Sequence, residues 1–138
     1  MVEHGCAFCE VISGERPAHV VSRDEAAVAF LDRSPVFKGH VLVVPRIHVE
    51  TLVELDAVDV GPLFERVRHL AAVMPSALGC DGTFVAINNV VSQSVAHLHV
   101  HVVPRRRKDG LRGFFWPRVR YADDAEMESY AAALSSAW

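Results

Sequence analysis

The chain of 138 residues reads as an α+β domain, with an antiparallel sheet covered on one face by a long helix. Three observations predict it. Short apolar runs sit next to one another in sequence, separated by turn residues, as neighbouring antiparallel strands do. Val60, Leu63, Phe64, Val67, Leu70, Ala71 and Met74 recur at helical spacing and mark one long amphipathic helix. His97-Leu98-His99-Val100-His101-Val102-Val103-Pro104 alternates at period two, the signature of a strand with two unlike faces.

Taken in order, residues 7–13 form a short helix stopped by Gly14 and Pro17. Ala26 to Leu31 is a strand, followed by the turn Asp32-Arg33-Ser34-Pro35. Gly39 leads into a second strand, His40 to Pro45, apolar almost throughout and therefore central. Asp56 caps the long helix; Pro62 suits its first turn, and Pro75 bends or ends it before Gly79. Thr83 to Ile87 is the third strand and His97 to Val103 the fourth, with Pro104 as its stop. Asn88-Asn89-Val90-Val91-Ser92-Gln93-Ser94 joins them. Asp123 with Glu126 forms a capping box for a last helix from about Asp124.

The histidine strand carries the chemistry. Residues at i, i+2 and i+4 of a strand share a face, so His97, His99 and His101 point one way and Leu98, Val100 and Val102 the other. Neighbouring imidazoles then lie roughly 6.6 Å apart, close enough for two to flank one phosphate. Imidazole titrates near neutrality and serves as nucleophile, acid, base or metal ligand.

Composition bounds the rest. Half the residues are hydrophobic (51%) and the net charge is −3, so the chain lacks the general basic footprint of a nucleic-acid binder. The local run Arg105-Arg106-Arg107-Lys108 reads first as a solvated loop and second as a site for a few phosphates. No stretch reaches the roughly 18–20 apolar residues of a membrane span, and Met1-Val2-Glu3-His4 does not open a signal peptide. Three cysteines do not make a disulfide framework, and a cytoplasmic protein is expected. One domain over 1–138 is expected, with a core of about 6–105 and a C-terminal extension over 106–138.

Gln93-Ser94-Val95-Ala96-His97-Leu98-His99-Val100-His101-Val102-Val103-Pro104-Arg105 resembles the signature of the histidine triad, or HIT, superfamily. Cys6 to Glu15, Val28 to Asp32 and Lys38 to His48 resemble its opening segment, its nucleotide-facing strand and its Gly-His strand, in the same order. The resemblance implies a sheet of about five strands, a homodimer and a purine nucleotide substrate. It implies cleavage at the α-phosphorus of a nucleoside phosphoramidate, an adenylate or a dinucleoside polyphosphate. His99 would attack phosphorus and form a nucleotidyl-histidine that water hydrolyses. Its second nitrogen would donate to the carbonyl of His97, His101 would donate to a phosphate oxygen, and Ser94 would hydrogen-bond the phosphate or the leaving group. Asp32 would bind the ribose hydroxyls. Phe8, Val11 and Phe30 would line the base pocket, and Asn88 and Gln93 would face the phosphate side. A nucleotide sensor with little turnover is the reading from a different class.

Cys6 and Cys9 have the spacing of half a zinc site, with His4, His40, His48 and His97 available to complete it. A zinc-containing bacterial branch of the superfamily maps the other two ligands to His48 and His97, and its zinc would be structural. Two departures stand out. The loop 88–92 lacks the glycines common in relatives, and Gly113-Phe114-Phe115-Trp116-Pro117 resembles a Trp-Pro segment displaced from its usual distance to the triad.

Overall fold

The computed structural model describes residues 5–112 and 118–138. Five strands form one antiparallel sheet: β1 (Val20–Arg23), β2 (Ala27–Leu31), β3 (Val41–Pro45), β4 (Gly82–Ala86) and β5 (Val100–Arg105), in the order β1-β2-β3-β5-β4. The helices are α1 (Ala7–Ser13), α2 (Ala57–Leu78) and α3 (Asp124–Ala137), with a 3₁₀ turn at Leu52–Glu54. The expected α+β class, the sheet of five strands and the central place of β3 hold. No helix of the described residues is long and apolar enough to cross a membrane.

Period-two alternation sorts the strand residues into two cores. Ala27, Ala29, Val41, Val43, Val100 and Val102 face α2 and pack on Leu63, Val67 and Met74. Val28, Phe30, Leu42 and Val44 face the opposite way and pack on Phe8, Val11 and Ile12 of α1. The second face is therefore partly covered too, by α1. The expected histidine strand obeys the same rule: Leu98, Val100 and Val102 are fully buried on the α2 side.

Several boundaries differ from the sequence reading, and the larger differences each have a local reason. Residues 97–99 leave the ladder, because Leu98 N–H donates to Val49 O (2.7 Å) and the His97 ring reaches Pro45 O (3.0 Å). At the other end Pro104 does not stop β5, which pairs Gly82 with Arg105 beyond it. Asp56 accepts from Val58 N–H (3.2 Å) and starts α2 at Ala57, so Pro62 falls past the first turn. Pro75 forfeits one ladder bond but the helix continues to Leu78, where Gly79 adopts φ 67° and closes it. Strand β1 had no signature, since all four of its residues are exposed and no apolar face alternates.

Candidate active site and metal centre

The three histidines sit where β5 begins, beside the middle of the sheet. His99 is buried, and its Nδ1–H donates to His97 O (2.7 Å), the bond that the family resemblance implied. That leaves the Nε2 lone pair free for attack. The edge of Phe8 packs on the His99 ring, centroids 5.1 Å apart, and fixes its plane.

Hydrogen bonds also settle the tautomers of the neighbouring rings. Val36 N–H donates to His40 Nδ1 (3.1 Å), so His40 carries its proton on Nε2. That Nε2–H donates to His101 Nδ1 (2.9 Å), so His101 in turn carries its proton on Nε2. Among the described residues the buried His101 Nε2–H has no partner, which leaves a donor for something in the cleft. Burial, reinforced by His99 and His40 and partly opposed by Asp32, pushes the His101 pKa down to about 4. Burial lowers that of His40 as well, against the raising effect of Asp32. Both rings are neutral at pH 7, as the tautomer chain requires.

A cleft of about 600 Å³ opens in front of these rings. Phe8, Val11, Phe30 and Leu42 supply its apolar wall, and Ser94, His99 and His101 contribute polar groups to its lining. Asp32 lines it as well: one oxygen accepts from Ser34 N–H (2.8 Å), and the other lies 3.7 Å from His40 Nε2. Asp32 thus caps a turn and still presents a carboxylate to the cleft. Arg16, His19 and Arg33 also line it, and the sequence reading had no site role for them. His19 borders β1, the strand that left no pattern. Leu42 shares the Phe30 face because the two are partners across β2 and β3, a register that alternation within either strand does not give.

Two expected nucleotide contacts have different places. Gln93 spends its amide internally: its oxygen accepts from Val90 N–H (2.9 Å), and its nitrogen donates to Glu50 O (2.6 Å). It braces the loop that carries Ser94. Asn88 is exposed and does not line the cleft, while Asn89 accepts from Leu52 N–H (2.9 Å). The loop is strained: Val90 and Ser92 adopt φ 69° and 62° in place of the glycines expected there. The basic run lies at the far end of β5, seven residues from His99 to Arg106, about 23 Å along an extended chain. Arg105 binds Asp109 through two nitrogens (2.6 and 3.1 Å), and Arg106 reaches Leu78 O (2.8 Å). The phosphate role of this run is therefore withdrawn within one chain. His4 and Trp116 lie outside the described residues.

Behind His99, on the side of α1, Cys6 Sγ, Cys9 Sγ, His48 Nδ1 and His97 Nδ1 converge. Tetrahedral zinc, with bonds of about 2.05 Å to nitrogen and 2.3 Å to sulfur, needs N···N edges of about 3.3 Å and S···N edges of about 3.6 Å. The observed edges are 3.2 Å for His48–His97, 3.3 and 3.5 Å for Cys9 to the two imidazoles, and 3.6 Å for Cys6–His97. His97 Nε2–H donates to Pro45 O, which leaves its Nδ1 as the ligand atom. The donor set fits the metal. His40, the other sequence candidate described, is buried against His101 and Asp32 instead. Asp32, His40 and His101 also cluster closely enough for an ion. There the chemistry does not fit, because His40 Nδ1 must accept from Val36 and its Nε2 keeps the proton.

A β-sheet that presents His-x-His-x-His at the mouth of an apolar cleft, with a carboxylate two strands away, defines the histidine triad class of protein. The chain matches the HIT domain over residues 13–108 and belongs to that family. It is 32% identical over 136 residues to the adenosine 5'-monophosphoramidase hnt1 of Schizosaccharomyces pombe, covering 95% of this chain and 96% of that one. A HIT family member from Bacillus subtilis superposes with a TM-score of 0.86 at 30% identity, over 96% of both chains. A zinc-bound histidine triad protein from Mycobacterium smegmatis superposes with a TM-score of 0.74 at 32% identity, over 97% of this chain and 98% of that one.

Proposed function

We propose that this protein hydrolyses nucleoside phosphoramidates or related adenylates through a nucleotidyl-histidine on His99. The observation that carries the reading is the pairing of a lone-pair Nε2 on His99 with an unpartnered, buried Nε2–H on His101. One is a nucleophile and the other an oxyanion donor, held side by side with ring centroids 4.9 Å apart.

The substrate base would lie against Phe8, Val11 and Phe30, with its ribose hydroxyls at Asp32 and its phosphate at the histidines. His99 Nε2 attacks the α-phosphorus, and the bond to the leaving amine or anhydride oxygen breaks. The positive charge that forms on the ring is stabilised through Nδ1–H and the His97 carbonyl. His101 holds a phosphoryl oxygen. Ser94, exposed at the cleft mouth, hydrogen-bonds the leaving group, which takes up its proton from water there. A water then cleaves the phosphorus–nitrogen bond to give the nucleoside monophosphate and free His99. Most of the acceleration would come from positioning and charge stabilisation, as in phosphoryl transfer generally.

Zinc bound by Cys6, Cys9, His48 and His97 would supply a structural cross-link and no reacting group. It would tie α1, which carries Phe8, to the segment that carries His99. Dinucleoside polyphosphates are the second substrate class. The distance of Arg105–Lys108 from the cleft removes the sequence argument for them.

The test is a fluorogenic adenosine phosphoramidate followed by amine release, beside His99→Ala. Release that is lost in the folded variant supports the reading. AMP binding without release from the wild type points to a nucleotide sensor. Release that survives in His99→Ala overturns the assignment of the nucleophile.

A further inference from the structure

Cys6 and Cys9 share the first turn of a helix. Cys6 is the N-cap of α1, in extended backbone, and its Sγ turns back to accept from Cys9 N–H (3.4 Å). Both sulfurs belong to the cluster whose ligand atoms all lie within 4.8 Å of one another. Cα atoms three residues apart at a helix start are about 5–6 Å apart, inside the range of about 4.4–6.8 Å that a disulfide spans. Side-chain rotation alone therefore brings the two sulfurs together.

The two thiols differ in access. Cys9 is buried, whereas Cys6 is half-buried and lines a cavity of about 420 Å³ with His48 and the exposed Glu50 and Ser94. A small oxidant reaches Cys6 first. The third thiol, Cys80, is buried in the core under α2, on the opposite face of the sheet from α1.

We propose that Cys6 and Cys9 are a reversible oxidation site: a hydroperoxide joins them in a disulfide, which dismantles the zinc site and loosens the wall of the nucleotide cleft. The inference rests on the zinc reading of the four donors and on no particular substrate. The Cys6 sulfur attacks the outer oxygen of the hydroperoxide, the O–O bond breaks, and an alcohol (water, for hydrogen peroxide) leaves behind a sulfenic acid. The Cys9 sulfur displaces that oxygen as water, and the S–S bond forms. Two thiolates, one hydroperoxide and two protons become one disulfide, one alcohol and one water. The sulfurs lose two electrons and the peroxide gains them. Zinc needs thiolate ligands, and a disulfide sulfur carries no charge. His48 and His97 alone are too few for a closed structural site.

The cleft is coupled to this event through Phe8, which lies between the two cysteines. Its ring packs on His99 (5.1 Å between centroids) and on Phe30 (5.4 Å) and forms part of the cleft wall. The other end of α1 is held separately, since Arg23 donates to Ile12 O (2.6 Å) and Val11 O (3.2 Å). Oxidation thus frees the first turn of α1 and leaves the rest docked. His97 keeps its bond to Pro45 O, and its carbonyl still holds His99. The effect falls on nucleotide binding more than on the nucleophile.

Hydrogen peroxide added to the full chain, with zinc release followed by a metallochromic chelator, tests this. The reduced protein holds one zinc, and peroxide releases it in step with one disulfide, mapped between Cys6 and Cys9 by peptide mass. A dithiol with added zinc restores the metal and the melting temperature. AMP binds the oxidised form about two- to twelvefold more weakly, the equivalent of one aromatic contact. Cys80→Ala releases zinc at the same rate. Cys6→Asp keeps a capping oxygen and an anionic zinc donor without a second thiol, and its zinc stays bound under the same peroxide. A reduced protein without zinc overturns the inference, as does zinc retained by the oxidised wild type. So do sulfinic acids in place of the disulfide, release slowed by Cys80→Ala, or AMP binding unchanged after release. No readout here uses a phosphoramidate, so failure of the proposed hydrolysis would show separately.

Discussion

Replacing His40 by phenylalanine isolates one link of the proposed chemistry. A flat aromatic ring, somewhat larger than imidazole, stays, and both nitrogens go. The Val36 N–H lies at a part-exposed turn and returns to water, so its loss is small. His101 Nδ1 loses its donor at 2.9 Å, and no hydrogen bond then holds the His101 proton on Nε2. A hydrogen bond of this kind contributes about 0.5–1.5 kcal/mol net, and an orphaned buried acceptor costs about 1–3 kcal/mol. The population of His101 that presents N–H to the phosphate falls by that first amount. Hence kcat/KM for an adenosine phosphoramidate drops between about twofold and about thirteenfold at 25 °C. Stability falls by about 1–3 kcal/mol. Two-bond proton–nitrogen spectra of the imidazoles provide a reading independent of substrate: His101 changes from one tautomer to a mixture, and His99 does not. Unchanged kcat/KM with unchanged His101 tautomer refutes the chain Val36–His40–His101. A loss as complete as that of His99→Ala in a folded protein refutes the positioning role and gives His40 a direct part in the chemistry.

Three further outcomes follow from named residues. Cys6→Ser, or a strong chelator, lowers bound zinc and the melting temperature more than it lowers the turnover of the remaining folded enzyme. Intact melting after both treatments refutes the structural metal. Val90→Gly stabilises the protein by up to about 1.5 kcal/mol. It relieves about 1–2 kcal/mol of left-handed strain at φ 69°, sacrifices little packing at 76% exposure, and gives back about 0.5–1 kcal/mol of glycine entropy. Chemical denaturation measures this, and a net loss above 1 kcal/mol contradicts it. Acid lowers stability first in the histidine range. Because His101 (about 4) and His40 titrate lower when folded, the unfolded chain takes up protons below about pH 6.5 that the folded chain refuses. The contribution is complete above that pH and is lost as pH falls towards about 4. Denaturation midpoints should decline less over this window in His101→Phe, and an equal decline counts against these groups.

The sequence by itself determined the parts that depend on local periodicity. Alternation along residues 97–103 placed three imidazoles on one face because strand geometry repeats every two residues whatever lies around it. Helical spacing from Val60 to Met74, the Asp56 cap and the Gly79 stop located α2 for the same reason. The two cysteines at i and i+3 announced half a metal site. The resemblance implied His48 and His97 for the two cysteines, but only the tertiary structure supplies the physical reason and joins His40 to His101. His40 and His48 stand eight residues apart on either side of β3, yet one meets His101 and the other meets Cys9. Nothing in their spacing separates them; the sheet order β3-β5 and the docking of α1 do. The same holds for Gln93 and the arginine run. Their residue types invite phosphate, but the fold turns the glutamine amide to Glu50 and Val90 and carries the arginines to the far end of β5. A short-range pattern survives any tertiary context, whereas a partner supplied from fifty or ninety residues away exists only once the chain has closed.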